Sequence, residues 1–261
     1  MRTKTTTLAE IAGYLDELLR LDAIPDFPGA LNGIQVETPA EIKHIATAVD
    51  ARIETIEAAR SAGAQLLIVH HGLFWGGPQP VRGAMYRRLR ALLADDIGLY
   101  SAHLPLDMHL QFGNNPLLAH ELGLTPTEGF ARHQTIDIGV AGLTDLPTAD
   151  LVARLTKFTQ KLGGTVRLAG VTKRRMTRHW AICTGAGAGA ETLREARARG
   201  IDTLIVGEGP HWSAIDAEEQ GLAILYGGHY ATEVLGVRTL GEHVGKKFGI
   251  PSTFIHAPTG L

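Results

Sequence analysis

The stretch QLLIVHHGLFW, residues 65–75, predicts the fold of this chain and also marks its chemistry. Its opening run, QLLIV, is short and apolar, as is typical of a fully buried strand in an α/β sheet. The histidines His70 and His71 then follow, at the carboxyl end of the strand, where ligands bind in open α/β sheets. Because neighbouring side chains on a regular strand point to opposite faces, we expect the strand to fray at the two histidines, with Gly72 easing the bend.

Short β-rich runs alternate with amphipathic stretches along most of the sequence, which predicts α/β layering rather than a sandwich or a helical bundle. The predicted fold class is α/β, with two α/β lobes of mixed sheets flanked by helices. Residues 1–130 are predicted as the first lobe, 131–225 as the second, and 226–261 as a C-terminal segment that returns to the first lobe. We expect a long strand at 133–146, near the hinge, and a loop at LNGIQVE, residues 31–37.

The composition is that of an ordinary globular protein, with 44% hydrophobic and 20% charged residues among 261. A formal charge of −2 gives no bulk electrostatic support for nucleic acid or an anionic membrane as a partner. No run approaches the roughly 18 unbroken apolar residues of a transmembrane helix, and the polar opening is unlike a signal peptide. Cys183 is the only cysteine, which excludes an intramolecular disulfide and a Cys-rich zinc cage. We therefore expect a cytoplasmic protein without a membrane partner.

Two further predicted strands also end in potential metal ligands. His103 and Asp107 follow the run GLY out of the sheet, and Pro105 prevents the hydrogen-bonding ladder from continuing. His229 and Glu233 follow the strand LAILY, and their spacing of four residues places both on one face of a starting helix, roughly 5–6 Å apart at Cβ. Three strand ends therefore offer imidazole and carboxylate groups, a mixture that suits zinc, manganese, iron, nickel or cobalt better than calcium.

Each of these residues, taken singly, is more often structural than metal-binding, since histidines are commonly half-buried and a glutamate at a helix start favours the helix dipole. Their combination at three strand ends is what favours a metal site. Five ligands drawn from these six groups, two of them carboxylates able to bridge, fit two metal ions about 3.5–4 Å apart. Such a pair would polarise a substrate oxygen and lower the pKa of a bound water.

The same residues resemble the Nif-three-like family, whose members are also called GTP cyclohydrolase 1 type 2 homologues. The segments IVHHGLFW (68–75), SAHLPLD (101–107) and GGHYATE (227–233) are similar to its three metal-binding blocks, in the same order. ICTGAGAG (182–189) and VGEGPHW (206–212) are similar to its two glycine-bearing signatures. The resemblance covers nearly the whole chain and indicates the short bacterial form, which lacks an inserted middle domain. The chain departs from the family pattern in HLPLD, where the family usually has HTxLD.

The resemblance implies a Nif-three-like fold and a centre of two divalent metal ions per chain, with Zn, Fe, Mn, Ni or Co as the candidates. It also implies a homohexamer built as a hollow ring of trimers, with the metal sites facing an inner cavity. One carboxylate ligand would bridge the two ions. The implied metal ligands are His70, His71, Asp107, His229 and Glu233.

Two other features carry alternative interpretations. Gly185, Gly187 and Ala190 satisfy the spacing of a dinucleotide-binding loop, although a tight turn packed closely against a helix is the favoured interpretation. The basic run KRRMTRH, residues 173–179, is expected to cap a hairpin in solvent, with phosphate contact as the alternative.

The favoured function is a metal-dependent hydrolase that acts on a nucleotide or a related small molecule, with His103 and Glu208 as the catalytic residues that move protons. GTP cyclohydrolase chemistry lies within this class, because ring opening begins with the addition of water at a carbon that a metal can activate. The alternative is a non-catalytic metal-binding protein, such as a metal chaperone or a partner of the transcription or cofactor-assembly machinery. Trp75, shortly after the two histidines, is expected to be a core residue rather than a platform for substrate.

Overall fold

The computed structural model describes residues 5–261 and shows an α/β architecture with two mixed sheets flanked by helices. Residues 1–4, which open the predicted first lobe, lie outside the described residues. The strands in chain order are β1 (Gly33–Val36), β2 (Ile45–Asp50), β3 (Leu66–His71), β4 (Gly98–Ser101), β5 (Glu128–His133), β6 (Ile136–Pro147), β7 (Arg167–Ala169), β8 (Met176–Cys183), β9 (Thr203–Val206), β10 (Ala223–Tyr226) and β11 (Ser252–Phe254). The helices are α1 (Leu8–Leu19), α2 (Ile53–Ser61), α3 (Gly83–Ala94), α4 (Leu104–Asp107), α5 (Asn114–Glu121), α6 (Thr148–Gln160), α7 (Ala190–Ala198), α8 (His211–Gln220) and α9 (His229–Phe248).

The chain divides into two compact units. Unit 1 is formed by residues up to His109 together with Gly236–Ala257, and unit 2 by Leu110–Leu235 together with Pro258–Leu261. These limits differ from the boundaries at 130/131 and 225/226 that the sequence suggests. Helix α5 belongs to unit 2 because its buried face packs in one apolar cluster with α6 and β8. The C-terminal segment joins unit 1 from Gly236 onward, where β11 pairs with β2.

The sheet of unit 1 has the strand order β1-β4-β3-β2-β11. Strand β3 pairs in parallel with β2 on one side and with β4 on the other, so it lies at the centre of the sheet. Its apolar residues Leu66–Val69 are all fully buried, as in a sheet that is covered on both faces. The predicted buried strand is therefore confirmed, and it carries the two histidines to the carboxyl end of the sheet.

Two local predictions in unit 1 are wrong. The strand does not fray at the histidines, because β3 continues through His71, which pairs with Asp50 of β2. The segment 31–37 is not wholly a loop either, since β1 pairs in antiparallel fashion with β4 at the edge of the sheet. The four-residue length of β1 explains the second error, because so short an edge strand gives almost no hydrophobic periodicity.

The sheet of unit 2 has the strand order β5-β6-β8-β9-β10-β7. Strands β8, β9 and β10 run parallel, and their last residues Cys183, Val206 and Tyr226 pair side by side. The loops after these strands therefore leave the sheet at one edge. The predicted strand at 133–146 corresponds to β6, which is the second strand of a hairpin with β5. Strand β5 itself was not predicted from the sequence.

The basic run 173–179 does not cap a hairpin, which corrects the prediction. Strand β7 pairs with β10 and β8 pairs with β6 and β9, so the connection between β7 and β8 crosses other strands of the sheet. Arg175 is half-buried in this connection, and its Nη2 donates hydrogen bonds of 2.6 Å to the carbonyl oxygens of Asp202 and Gly221. One residue of the basic run is thus a structural clamp.

Candidate metal centre

Strand β3 places two imidazoles at the carboxyl end of the unit 1 sheet. The ring centroids of His70 and His71 lie 4.6 Å apart. The Nδ1 atom of His70, which is fully buried, lies 2.9 Å from the carbonyl oxygen of Ala102. The Nδ1 atom of His71 lies 2.9 Å from Oδ1 of Asp50, on the neighbouring strand. Because a carbonyl or carboxylate oxygen can only accept, Nδ1–H donates in both bonds, and Nε2 of each ring is the nitrogen that could bind a metal ion.

His103 follows β4 and joins the same group. Its Nδ1 atom donates to Oδ1 of Asp26 over 2.8 Å, and its backbone N–H donates to the side chain of Asn32 over 2.8 Å. One ligand atom from each of His70, His71 and His103 lies within 4.8 Å of the other two. His103 was predicted to be a catalytic residue that moves protons, and the structure places it among the histidines that could bind a metal ion.

Asp26 was not predicted from the sequence, although it positions His103. Its other carboxylate oxygen accepts hydrogen bonds from the side chain of Asn32 over 2.8 Å and from the backbone N–H of Leu104 over 3.0 Å. Burial alone would raise the pKa of Asp26, but the hydrogen bonds and the charge of His103, with the other donors, hold the pKa below its usual value. Asp26 is therefore a carboxylate at neutral pH and fixes the orientation of the His103 ring.

Asp107 adds a carboxylate to the unit 1 group. Pro105 lies in the first turn of the short helix α4, which begins directly after His103 and ends at Asp107. The side chain of Asp107 is buried, and its Oδ2 lies 3.4 Å from Nε2 of His70. The helical turn after β4 thus brings the carboxylate of Asp107 back toward the His70 ring.

Unit 2 holds the remaining predicted residues at the start of α9. Nε2 of His229 lies 3.1 Å from Oε2 of Glu233, one helical turn later, and the Glu233 side chain is buried. Nδ1 of His229 lies 2.9 Å from Oε1 of Glu208, in the loop after β9. Burial would lower the pKa of His229, but the hydrogen bonds and charges of Glu233 and Glu208 outweigh it and raise the pKa to about 9.

Glycine residues allow two loops of unit 2 to reach this pair. A Cβ atom at Gly185, which has a φ of +63°, would lie 2.1 Å from Oε1 of Glu233. A Cβ atom at Gly207 would lie 2.5 Å from the carbonyl oxygen of Gly185. The backbone N–H of Glu208 donates to that same oxygen over 2.8 Å. The favoured interpretation of the glycine-rich loop as a tight, closely packed turn is confirmed.

Trp75 is not a core residue, which corrects the prediction. Its side chain is 40% exposed, and its ring lies edge-on to His103 with the centroids 5.0 Å apart. Phe27, 47% exposed, lies with its ring centroid 5.9 Å from that of His103. Large exposed aromatic side chains beside polar groups are typical of ligand-binding surfaces. The structure thus places an aromatic surface beside the histidines of unit 1.

The donor atoms of both units suit a transition-metal ion. The unit 1 group could hold a metal ion through imidazole nitrogens with Asp107 close by, and unit 2 offers a further imidazole and carboxylate. Metal-binding histidines usually donate their other ring N–H to a carboxylate or a carbonyl oxygen, and each of the four histidines does so. Whether the five predicted ligands serve one centre stays a prediction.

Among residues 5–261, no helix is long and apolar enough to cross a membrane.

Comparison with known proteins identifies relatives over nearly the whole chain. A "GTP cyclohydrolase 1 type 2 homolog" from Deinococcus radiodurans is 41% identical over 259 residues, which cover 97% of this chain and 94% of the relative. One from Pyrococcus abyssi with the same name is 40% identical over 254 residues, covering 97% and 98%. Among solved structures, the protein ybgI, described as of unknown function, matches with a TM-score of 0.88 and 35% identity over 98% of this chain and 100% of its own.

The family comparison agrees with these relatives. The family model of Duf34/NIF3 (NGG1p interacting factor 3) matches residues 6–259. Within that range lie both glycine-bearing loops and all of the histidines and carboxylates described above. The resemblance inferred from the motifs is confirmed, and the chain belongs to the Duf34/NIF3 family.

Proposed function

We propose that this protein binds two divalent metal ions per chain and uses them to hydrolyse a nucleotide or a related small molecule. The donor set suits zinc, iron, manganese, nickel or cobalt, all of which accept mixed imidazole and carboxylate ligands. The names of the relatives, as GTP cyclohydrolase 1 type 2 homologues, favour the same class of reaction. The proposed ligands are His70, His71, Asp107, His229 and Glu233.

The observation that carries this proposal is the fixed orientation of the histidines. Each Nδ1 is engaged by an oxygen: that of Ala102 for His70, of Asp50 for His71, of Asp26 for His103 and of Glu208 for His229. A core histidine that is merely accommodated has no need of this repeated arrangement. Holding the proton on Nδ1 leaves the Nε2 lone pair for a metal ion and makes the ring a stronger donor.

His103 and Glu208 are the residues proposed to move protons. When bound, the metal ions would polarise the substrate and make a bound water more acidic. His103 can accept a proton at Nε2, and the carboxylate of Asp26 then stabilises the imidazolium that results. Glu208 is 45% exposed at its side chain, so it can exchange protons with solvent while it orients His229. Trp75 and Phe27 are proposed to contact a planar part of the substrate.

Metal analysis and turnover test the proposal directly. Protein purified without added metal would be analysed for metal content and assayed with GTP, nucleoside monophosphates and small esters. We expect about two ions per chain in the wild type and loss of both metal and turnover in His70→Ala. The matched control is His44→Ala, because His44 lies in unit 1 and its ring bonds only the Thr253 hydroxyl among the contacts described. Equal metal content in His70→Ala and the wild type would contradict the proposal.

The alternative function is a non-catalytic metal-binding protein with a regulatory role. The family description, which names an interacting factor, is the observation that favours it. Metal bound through the proposed ligands, together with turnover that His70→Ala does not change on any substrate, would select this alternative over the hydrolase.

A homohexamer and a cytoplasmic location are also proposed. The single chain exposes large apolar side chains that an assembly would bury, among them Leu110 at 88%, Leu143 at 70% and Leu93 at 63% exposure. Light scattering coupled to size-exclusion chromatography gives the mass of the assembly, and a mass other than six chains contradicts the hexamer. Cell fractionation tests the location.

A further inference from the structure

A cavity of about 460 Å³ lies in unit 2 at the carboxyl ends of β9 and β10. Its walls come from the loop 207–210, the first turns of α8 and the start of β7. Small-molecule sites typically have volumes of ~300–1,000 Å³, and in α/β sheets they lie beyond the carboxyl ends of parallel strands. Neither His229 nor Glu233 lines the cavity. Both its size and its place therefore suit a small ligand that does not itself require the metal ligands.

The charged groups around the cavity favour an anion. Arg167 lines it, and within residues 5–261 this guanidinium has no carboxylate partner. The acidic side chain on the wall is Glu208, and its Oε1 already accepts a hydrogen bond from Nδ1 of His229. Leu261 also lines the cavity, and its backbone oxygen already accepts a hydrogen bond of 3.1 Å from the N–H of Tyr230. His211 is the first residue of α8, so the partial positive charge of the helix start has the same sign as the guanidinium. A cation without a partner beside an open cavity is an incomplete electrostatic arrangement that an anionic ligand would complete.

Strand pairing places Arg167 at a defined position. Arg167 of β7 lies directly opposite Tyr226 of β10 in the antiparallel pair, so both side chains project from the same face of the sheet. The Tyr226 hydroxyl lies 2.8 Å from Oγ of Ser213, which in turn donates to the carbonyl oxygen of Pro210 over 2.6 Å. The ring of Tyr226 is therefore held in place as the wall next to the guanidinium.

We propose that this cavity binds the phosphate group of a small phosphorylated molecule, with Arg167 as its main cationic contact. The planar fork of a guanidinium matches two phosphate oxygens, which a point charge such as lysine does not. Tyr226 flanks the phosphate, and the remainder of the ligand extends toward Glu208. The proposed phosphate binding does not require metal. The additional inference that this ligand is the substrate, held beside Glu208, rests on the proposed function.

Calorimetric titration with matched ligands tests this inference. Metal-free protein and protein as purified would each be titrated with inorganic phosphate, ribose 5-phosphate and AMP, and with ribose and adenosine as the ligands that lack phosphate. We expect the phosphorylated ligands to bind both preparations, more weakly at higher salt, and ribose and adenosine not to bind detectably. Arg167→Ala should weaken binding by about tenfold or more, and Arg167→Lys by less. The control is Arg178→Ala, since Arg178 lies on β8 of the same sheet and is 75% exposed at its side chain.

A second variant keeps the test decisive if the loss of Arg167 has other effects. Ala214→Leu enlarges a side chain that lines the cavity, and it should weaken ribose 5-phosphate and AMP more than inorganic phosphate. Three results would overturn the inference: no binding of any phosphorylated ligand, an equal loss in Arg178→Ala, or binding that requires metal and disappears in His70→Ala while Arg167→Ala retains it. The last result would mean that phosphate binds to the metal ions, and the proposed metal site would stand. By contrast, AMP binding to metal-free protein through Arg167 would support the inference even if the metal proposal failed.

Discussion

Asp50 and His71 face each other across the parallel strands β2 and β3, and Oδ1 of Asp50 lies 2.9 Å from Nδ1 of His71. The carboxylate comes from the strand next to the one that carries the histidine, so the geometry of the sheet itself sets the hydrogen bond. This pairing holds the proton on Nδ1 and leaves Nε2 as the nitrogen that could bind a metal ion. Asp50 therefore orients the ring of His71, a proposed metal ligand, and is not itself one of the proposed ligands.

Asp50→Ala should weaken metal binding by about 10–100-fold, because removing such a partner frees the ring and lowers its basicity. The measurement is a competition titration of metal-free protein against a chelating dye. Asp95→Ala is the matched control, since the Asp95 side chain is 34% exposed, close to the 31% of Asp50, and pairs with Arg60 instead. Unchanged affinity in Asp50→Ala would show that the pairing has no role in metal binding.

The stability of the metal-free protein should fall as the pH rises from about 6.5 to about 9. The pKa of His229 is raised from 6.5 to about 9 in the folded chain, so its stabilising contribution is complete below the unfolded pKa and is lost as the pH passes the folded one. The loss is on the order of 3 kcal/mol as an upper bound. Urea unfolding across this range measures it, and His229→Gln should remove most of the slope. A slope equal to that of the wild type in His229→Gln would contradict the assignment.

Gly185→Ala should cost more stability than Gly200→Ala and should also weaken metal binding. Both glycines have positive φ angles, +63° and +66°, so each substitution carries a similar backbone strain of about 1 kcal/mol. Only at Gly185 would the added Cβ meet a side chain, that of Glu233, whereas the space at Gly200 is open. We expect a further cost of about 1–3 kcal/mol for Gly185→Ala in urea unfolding. Equal costs and equal metal affinities would show that close approach to Glu233 is not the reason for the glycine.

The sequence predicts the histidines of the candidate metal centre better than it predicts the groups that orient them. His70 and His71 interrupt an apolar strand, so their position alone signals a site. Asp26, by contrast, lies 77 positions before His103 on a loop flanked by prolines, and no spacing rule connects the two residues. Asp50 at the end of β2 was within reach of sequence reasoning, because neighbouring parallel strands end at the same edge. Contacts between residues far apart in the chain depend on strand order, which periodicity does not reveal.

Arg175 shows the same limit for stability. The dense basic run suggests a solvated turn, yet the half-buried guanidinium of Arg175 closes on the carbonyl oxygens of Asp202 and Gly221, which precede two adjacent strands. The sequence could not single out Arg175, because its neighbour Arg174 is also an arginine and yet is exposed. The different roles of the two arginines follow from the path of the connection between β7 and β8, which periodicity does not predict.

Arg175→Ala should therefore destabilise the protein by about 1.5–3 kcal/mol, since hydrogen bonds from a charged donor are lost and carbonyl oxygens lose a partner. Arg174→Ala removes the same charge from a solvent-exposed position, and it should change the free energy of unfolding by no more than about 0.5 kcal/mol. Urea unfolding of the two variants and the wild type at one pH and one salt concentration gives the difference. A similar loss of unfolding free energy in both variants would mean that net charge, rather than the two carbonyl contacts of Arg175, stabilises this part of unit 2. In that case Arg175→Lys, which keeps the charge but not the planar guanidinium, would behave as the wild type.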